Sequence, residues 1–555
     1  MRRLFLLACL PLFASCARAQ NAKMTHRWFY LQTNFLTDAN VTHAQDLLKR
    51  AKAAGYNGVV VTDSKFDILD KMSPHYFQNV AAVKQTAQDL GIGVYPVVCT
   101  IGYEGGALYQ DPQLAEAQSV QNAPFAAHDG VLSATSEVEL QNGDFEQAQN
   151  DQFKGWSYQD APGKITFFDT NEKHGGAGSI RMQSFEGANG RIVQTLTTKP
   201  HQWLHLSVWV KTQDFETPNE ARGLALGQND KVLAWVRWHI ERTQGWTRYD
   251  TTFNTGDSAQ VRVYLGVWGG RGGQIWWDDA KIEGAGLFNL VRRPGAPFSV
   301  RGEDGTIYEE GRDFENARDE KTGNVPWPGS YDDWHDSPNI KLMSNSRIKE
   351  GQSVQVSYYA VQKVDEGSVA PCLSEAKTFQ IMRDQVKRVV DLWQPTGLFL
   401  GPDEIRQIGS CEACQKSGKT SAQILADATK QCVAMARESN PKGEVWIWSD
   451  MFDPNHNAHD NYYLVNDSLD GSWQGVDKSV GIMNWNFGSR EKSLAFFAQQ
   501  GHPQIVSGFY DAGNDQIKNW METAKDVPTV EGAMYTTWNN DYSQLEDFAR
   551  NAWGK

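Results

Sequence analysis

The run Gly397-Leu-Phe-Leu-Gly-Pro-Asp403-Glu404-Ile-Arg406 is apolar until it stops at two adjacent carboxylates, the residues of this chain best placed for proton chemistry. One carboxyl of such a pair can protonate a leaving oxygen while the other orients a substrate or stabilises developing positive charge. Neighbouring residues on a strand point to opposite faces. Asp403 and Glu404 can therefore share a pocket only where the strand ends and the backbone turns, and Pro402 and the loop after Arg406 are expected to supply that turn. The competing reading is an acidic helix N-terminus, favoured by the helix dipole.

Other carboxylates and aromatics stand at the ends of further apolar runs: Asp63, Tyr103 with Glu104, Trp448 with Asp450, Trp485, Tyr510 with Asp511, and Trp538. Aromatic faces stack on the C–H patches of sugars, and carboxylates hold hydroxyls. The elements that position these residues alternate short apolar runs with helical spacing, the signature of βα units around a parallel sheet. Three such strands precede a break (28–32, 58–62, 92–99). Five follow it (398–400, 444–448, 480–485, 504–508, 532–538). Helical spacing covers 41–54, 76–90, 375–393, 422–438, 491–500, 516–523 and 544–553. Eight strands make a (β/α)8 TIM barrel, whose active sites lie at the C-terminal strand ends.

The break, 135–285, loses the helical period and becomes short alternating strands rich in Trp, Gly and Thr, an all-β sandwich inserted after the third barrel strand. The expected organisation is a leader over 1–19, the first barrel part over 24–134, the sandwich over 135–285, a small β extension over 286–366 and the second barrel part over 367–555. The strand-like Val354-Gln-Val-Ser-Tyr-Tyr359 would be a ninth barrel strand and is assigned to the extension.

At 555 residues the chain has room for several cores. A net charge of −14 with both signs interspersed argues against nucleic acid, which needs a concentrated basic surface. The N-terminus has a basic start, an apolar run too short to cross a bilayer, and Ala17-Arg18-Ala19, which together read as an export signal. Phe13-Ala14-Ser15-Cys16 offers a second processing reading, a lipid anchor at Cys16. No other span is expected, and the protein is expected in the periplasm or outside the cell. Past the leader stand Cys99, Cys372, Cys411, Cys414 and Cys432, an odd number for an oxidising compartment. Cys411-Glu-Ala-Cys414 is half of a zinc motif without a second CxxC or HxxxH, so a loop disulfide or plain thiols is expected, with no metal and no cofactor.

Two resemblances sharpen this reading. Asn142-Gly-Asp-Phe-Glu146, Leu206-Ser-Val-Trp-Val-Lys211 and Trp276-Trp-Asp-Asp-Ala280 resemble jelly-roll carbohydrate-binding modules, with bracing of the barrel as the alternative role. Asp403-Glu404, Trp448-Ser-Asp450, Trp485, Tyr510-Asp511 and Trp538 resemble, in order and spacing, the family 20 β-N-acetylhexosaminidases, as a divergent relative. That resemblance implies a glycoside hydrolase acting on an oligo- or polysaccharide. Glu404 would be its general acid/base, and Asp403 would orient an acetamido group that serves as nucleophile. Tyr510 would bond the acetamido oxygen, and Trp448, Trp485 and Trp538 would wall the pocket. Three departures stand beside it: Pro402 replaces a small residue, the first strand ends in Gln32-Thr-Asn34 without the family's Arg, and Gly102-Tyr103-Glu104 replaces a His. Two alternatives stay open: a retaining enzyme with Asp511 or another carboxylate as nucleophile, and a non-catalytic glycan-binding protein.

Overall fold

The structure, a computed structural model, describes residues 24–102, 105–365, 367–511 and 515–554. The leader, Cys16, Tyr103 and Glu104 lie outside the described residues. Eight parallel strands close into a barrel in chain order: β1 (His26–Gln32), β2 (Gly58–Thr62), β3 (Gly93–Gly102), β4 (Gly397–Asp403), β5 (Glu444–Trp448), β6 (Gly481–Asn484), β7 (Gln504–Phe509) and β8 (Val530–Thr536), with β8 pairing back onto β1. Around it lie α1 (Asp38–Ala53), α2 (Pro74–Asp89), α3 (Ala376–Trp393), α4 (Ser421–Ser439), α5 (Arg490–Gln500), α6 (Asp515–Ala524) and α7 (Leu545–Trp553).

Alternation along each strand separates two cores. Trp28, Tyr30, Tyr95, Phe399, Trp446, Trp448 and Met483 fill the barrel interior. Their strand neighbours Phe29, Leu31, Leu398, Leu400 and Ile447 pack outward on the helices. So aromatic an interior needs room. At Gly481 a Cβ would stand 2.2 Å from the Trp446 ring, so this position on β6 must stay bare.

After β5 the pattern departs from a regular βα unit. Residues 449–480 form two 3-10 turns (Asp450–Phe452, Ser472–Gly475) and the strand Leu464–Val465, which pairs with Gln407–Ile408 from the loop after β4. This segment lies over the C-terminal end of β4 instead of returning down the outside as an α-helix.

Between β3 and α3 the chain builds three large antiparallel sheets, besides a two-stranded ladder of Ala148–Gln149 with Gln152–Phe153. Two five-stranded sheets face each other as a sandwich, one containing Trp203–Gln213 and Gln274–Gly284, the other containing Ala221–Leu226 and Gln260–Val267. They enclose Ile180, Met182, Val208, Phe253, Val263 and Trp277. The third sheet corrects one expected boundary. Strands Gln118–His128 and Val131–Ala134, read from the sequence as barrel, pair with each other, and Gln118–His128 pairs antiparallel with Ser353–Ala360. Both belong with the extension, whose core holds Val120, Phe125, Leu132, Phe288, Val354 and Tyr358. Alternation reveals that a segment is a strand but not its partner, which here lies more than 200 residues away.

Among the described residues no helix is long and apolar enough to cross a membrane.

Candidate functional site

β4 ends irregularly. Its pairing with β3 shifts register between Leu400 and Pro402, and Glu404 adopts a left-handed backbone with φ of +43°. The turn expected from Pro402 and the later loop thus comes from a bulge at Gly401 and from Glu404 itself. A non-glycine residue held in that region costs on the order of 1–2 kcal/mol, and such strain gathers at functional sites. Close packing of the two strand ends requires Gly102, where a Cβ would approach the Asp403 carbonyl oxygen to 2.1 Å.

The strained peptide is held by Asp450, whose Oδ2 accepts the Glu404 backbone N–H at 2.8 Å and the Asn457 amide at 3.1 Å. Asp450 is fully buried. Burial pushes its carboxyl up to about 6, against the opposing hydrogen bonds from Glu404, Asn457 and Trp485.

Arg406 holds the Glu404 side chain. Its buried guanidinium donates to Glu404 Oε1 at 3.2 Å and to the Asp365 carbonyl at 3.1 Å, and lies 5.2 Å from the centre of the Tyr463 ring. The Tyr463 hydroxyl donates to Asp365 at 3.1 Å, and Arg237 of the sandwich approaches the same carboxylate at 3.7 Å. Glu404 remains 29% exposed. His456 stands edge-on to Trp485 with ring centres 4.4 Å apart. Burial lowers the His456 pKa, while the charges of Asp453 and Glu404 act in the opposite sense. Asp403 is half-buried at the strand end, in register with Gly102.

Trp448 and Trp538 are brought together: Trp448 packs on Phe399 and Tyr30 at 4.9 and 5.9 Å and lies 6.3 Å from Trp538, which is 47% exposed. Trp448, 5% exposed, tops the interior layer and backs Trp538, which stands at the barrel mouth.

Four expected site residues do other work: Asp450, sealed in beneath Glu404 and away from any ligand-facing surface, and three more. Tyr510 is 1% exposed, stacks on Tyr535 at 5.0 Å and meets Phe548 in the layer between barrel and helices. One position past Phe509, it continues the outward face of β7, so it walls no pocket and cannot reach an acetamido oxygen. Asp63 is sealed in, accepting from the Lys65 and Phe35 backbones at 3.0 Å each and from the Tyr76 hydroxyl at 3.1 Å. It anchors the turn after β2, buried away from the barrel mouth's surface. Asp511 spends its oxygens on the Thr537 hydroxyl and on the Trp538 backbone N–H at 2.7 Å, setting the loop that presents Trp538.

Sequence reading passed over Arg406, His456, Asn457, Asp365 and Tyr463. Arg406 had a signal in its place two residues after Glu404. The others lie in loops whose path only the fold defines.

The sandwich shows two kinds of surface. One sheet is fastened to the extension: the Trp203 indole donates to the Phe288 carbonyl at 3.2 Å, and His205 stacks on Trp334 with ring centres 3.5 Å apart. The other sheet turns Trp235, Tyr264 and Trp268 outward around Arg222, whose guanidinium sits 4.6 Å from Trp235 and 5.4 Å from Trp268. A cavity of ≈ 510 Å³ lined by Trp235, Arg237, Trp334 and Asp365 joins this sheet to the loop beneath Arg406.

No protein-family model matches the chain, and no curated protein matches it. Solved structures with local likeness include a family 16 carbohydrate-binding module, 15% identical over 26% of this chain and 97% of that one with a TM-score of 0.19. A family 61 module in complex with β-1,4-galactotriose is 17% identical over 27% of this chain and 99% of that one, with a TM-score of 0.21. A rhamnosidase from Novosphingobium sp. PP1Y is 9% identical with a TM-score of 0.33, and this chain, matched over 97% of its length, spans 60% of it.

Proposed function

We propose that the protein is a glycoside hydrolase in which Glu404 is the general acid/base and Asp403 assists. The observation that carries this reading is the strained setting of Glu404. At the C-terminal end of the fourth barrel strand, its backbone is held left-handed by buried Asp450 and its part-exposed carboxylate is gripped by buried Arg406. A carboxylate fixed so firmly and still part-exposed is suited to meeting a glycosidic oxygen. Exposed Trp538, backed by Trp448, supplies a stacking surface at the barrel mouth.

The resemblance to family 20 supports an acetamido sugar, whose own carbonyl would attack the anomeric carbon while Asp403 steadies the charge on its nitrogen. Without Tyr510, Asp403 carries the orientation of that group in this reading. The hydrogen bonds that tie Asp511 to Thr537 and Trp538 count against its serving as a protein nucleophile. For the sandwich we propose both roles: bracing through Trp203 and His205, and glycan stacking on Trp235 and Trp268.

Two inhibitors test the mechanism. A thiazoline mimic of the cyclised acetamido sugar should inhibit the enzyme strongly, and a 2-fluoro glycoside should leave no covalent adduct. Trapping by the 2-fluoro glycoside without thiazoline inhibition would replace the acetamido nucleophile with a protein carboxylate.

A further inference from the structure

Glu116, Cys372, Cys411 and Cys414 come from three separate stretches of chain and meet beside the loop that follows β4. None is more than 1% exposed, and their potential ligand atoms all lie within 4.8 Å of one another. Cys372 Sγ is 3.3 Å from Cys411 Sγ and 3.6 Å from Cys414 Sγ. Glu116 Oε2 is 3.5 Å and 3.4 Å from the sulfurs of Cys411 and Cys414. All three cysteines are free.

These separations have the scale of a coordination tetrahedron. Zinc bonds sulfur at about 2.3 Å and carboxylate oxygen at about 2.0–2.2 Å, which sets ligand-to-ligand edges of roughly 3.5–3.8 Å. A disulfide would require sulfurs about 2.05 Å apart and would leave the third cysteine over. The surroundings are ordered as around a metal. Glu116 Oε1 accepts the backbone N–H groups of Ser410 and Cys411 at 2.6 and 2.9 Å, which turns Oε2 towards the sulfurs. Such outer bonds orient a ligating carboxylate.

Arg293 adds a cation behind the cluster. It is fixed by Glu375 at 3.0 Å and by the carbonyls of Gln113 and Ala115, and it lies within electrostatic reach of Glu116, Cys372 and Cys411. Three thiolates and a carboxylate sealed from water need cationic charge. A divalent ion together with Arg293 provides most of it.

We propose that Glu116, Cys372, Cys411 and Cys414 form a structural zinc site. With four protein ligands and no open position, its task is to hold chain together rather than to activate water. It fastens the segment leaving β3 (Glu116) and the segment re-entering the barrel (Cys372) to the loop that carries Glu404 and Arg406 out of β4. The CxxC is thus completed by partners 39 and 295 residues before Cys411. On binding, the thiols release their protons to solvent, and the metal shields them from oxidation.

The test is metal analysis of the full chain, expressed with zinc and purified without chelators. It should carry about one zinc per chain. Cys432→Ser, outside the cluster, should keep it, while Cys411→Ser and Cys372→Ser should lose it. Because the serine variants can misfold, the wild type is also loaded with cobalt(II) alone. It should show the intense sulfur-to-cobalt charge-transfer bands and the visible bands of a tetrahedral thiolate site, and Glu116→Gln should shift the visible bands. Wild-type protein that takes up neither zinc nor cobalt under reducing conditions would overturn the proposal, as would zinc content unchanged by the serine substitutions in folded protein.

Discussion

The conformation of Glu404 is costly, and the groups around it show what that cost maintains. On a regular strand Asp403 and Glu404 would point apart; the left-handed turn at Glu404, tied down by Asp450, changes the direction of the second carboxylate. Asp450 adds a pH dependence of its own. In the folded protein its carboxyl stays protonated up to about 6, whereas in the unfolded chain it ionises near 3.8. Between those values the folded state binds more protons, so stability falls as pH rises through about 4 to 6, by roughly 3 kcal/mol at most. Asp450→Asn removes this loss. Urea unfolding should show the wild type losing stability relative to the variant between pH 4 and pH 7, and parallel curves would contradict a buried, raised carboxyl. The two other acids are separated by kinetics. Asp403→Asn should reduce kcat on 2-acetamido substrates severely, and Asp511→Asn, which loosens only the Trp538 loop, should act mainly on KM. Azide rescue of an Asp511→Gly variant, with mild loss at Asp403, would reverse those roles.

At the scale of elements, the sandwich divides its labour between its sheets. Trp235→Ala should weaken binding to polymeric glycan by about 1–2 kcal/mol, the size of a lost aromatic contact. Hydrolysis of a small aryl glycoside should be little changed, and affinity electrophoresis against the polymer reads the difference. Deleting 137–283 should yield insoluble protein, because Trp203 and His205 complete the core of the extension. A soluble, active deletion would remove the bracing role. The helices and barrel strands were legible in the sequence because apolar spacing records which face is buried: α3, read from Glu375 to Trp393, spans Ala376–Trp393. Pairing was not legible, and 118–134 passed for barrel because a half-buried strand looks alike in either sheet. Tyr510 was misplaced because it was read with the pocket residues, although alternation from Ile505 through Ser507 puts it on the outer face. The partners of the CxxC were hidden by distance, since Glu116 and Cys372 carry no local motif.

At the scale of the molecule, the inserted sheets hang over the end of the barrel where β4 and the segment after β5 converge. Arg237 of the sandwich, Asp365 of the returning chain, Arg406 and Glu404 form one linked series from the outward sheet to the proposed acid. Whether Glu404 does proton chemistry on a glycosidic bond is decided by one comparison. Purified wild type and Glu404→Gln are assayed on a panel of aryl glycosides, with and without 2-acetamido groups, whose leaving groups range from weakly to strongly acidic. Wild-type turnover is expected on at least one sugar, with a loss of about 10²–10⁴-fold in the variant on poor leaving groups, largely recovered on the most acidic ones. Wild-type rates in the folded variant on a poor leaving group, or no hydrolysis of any glycoside by the wild type, would contradict this role for Glu404.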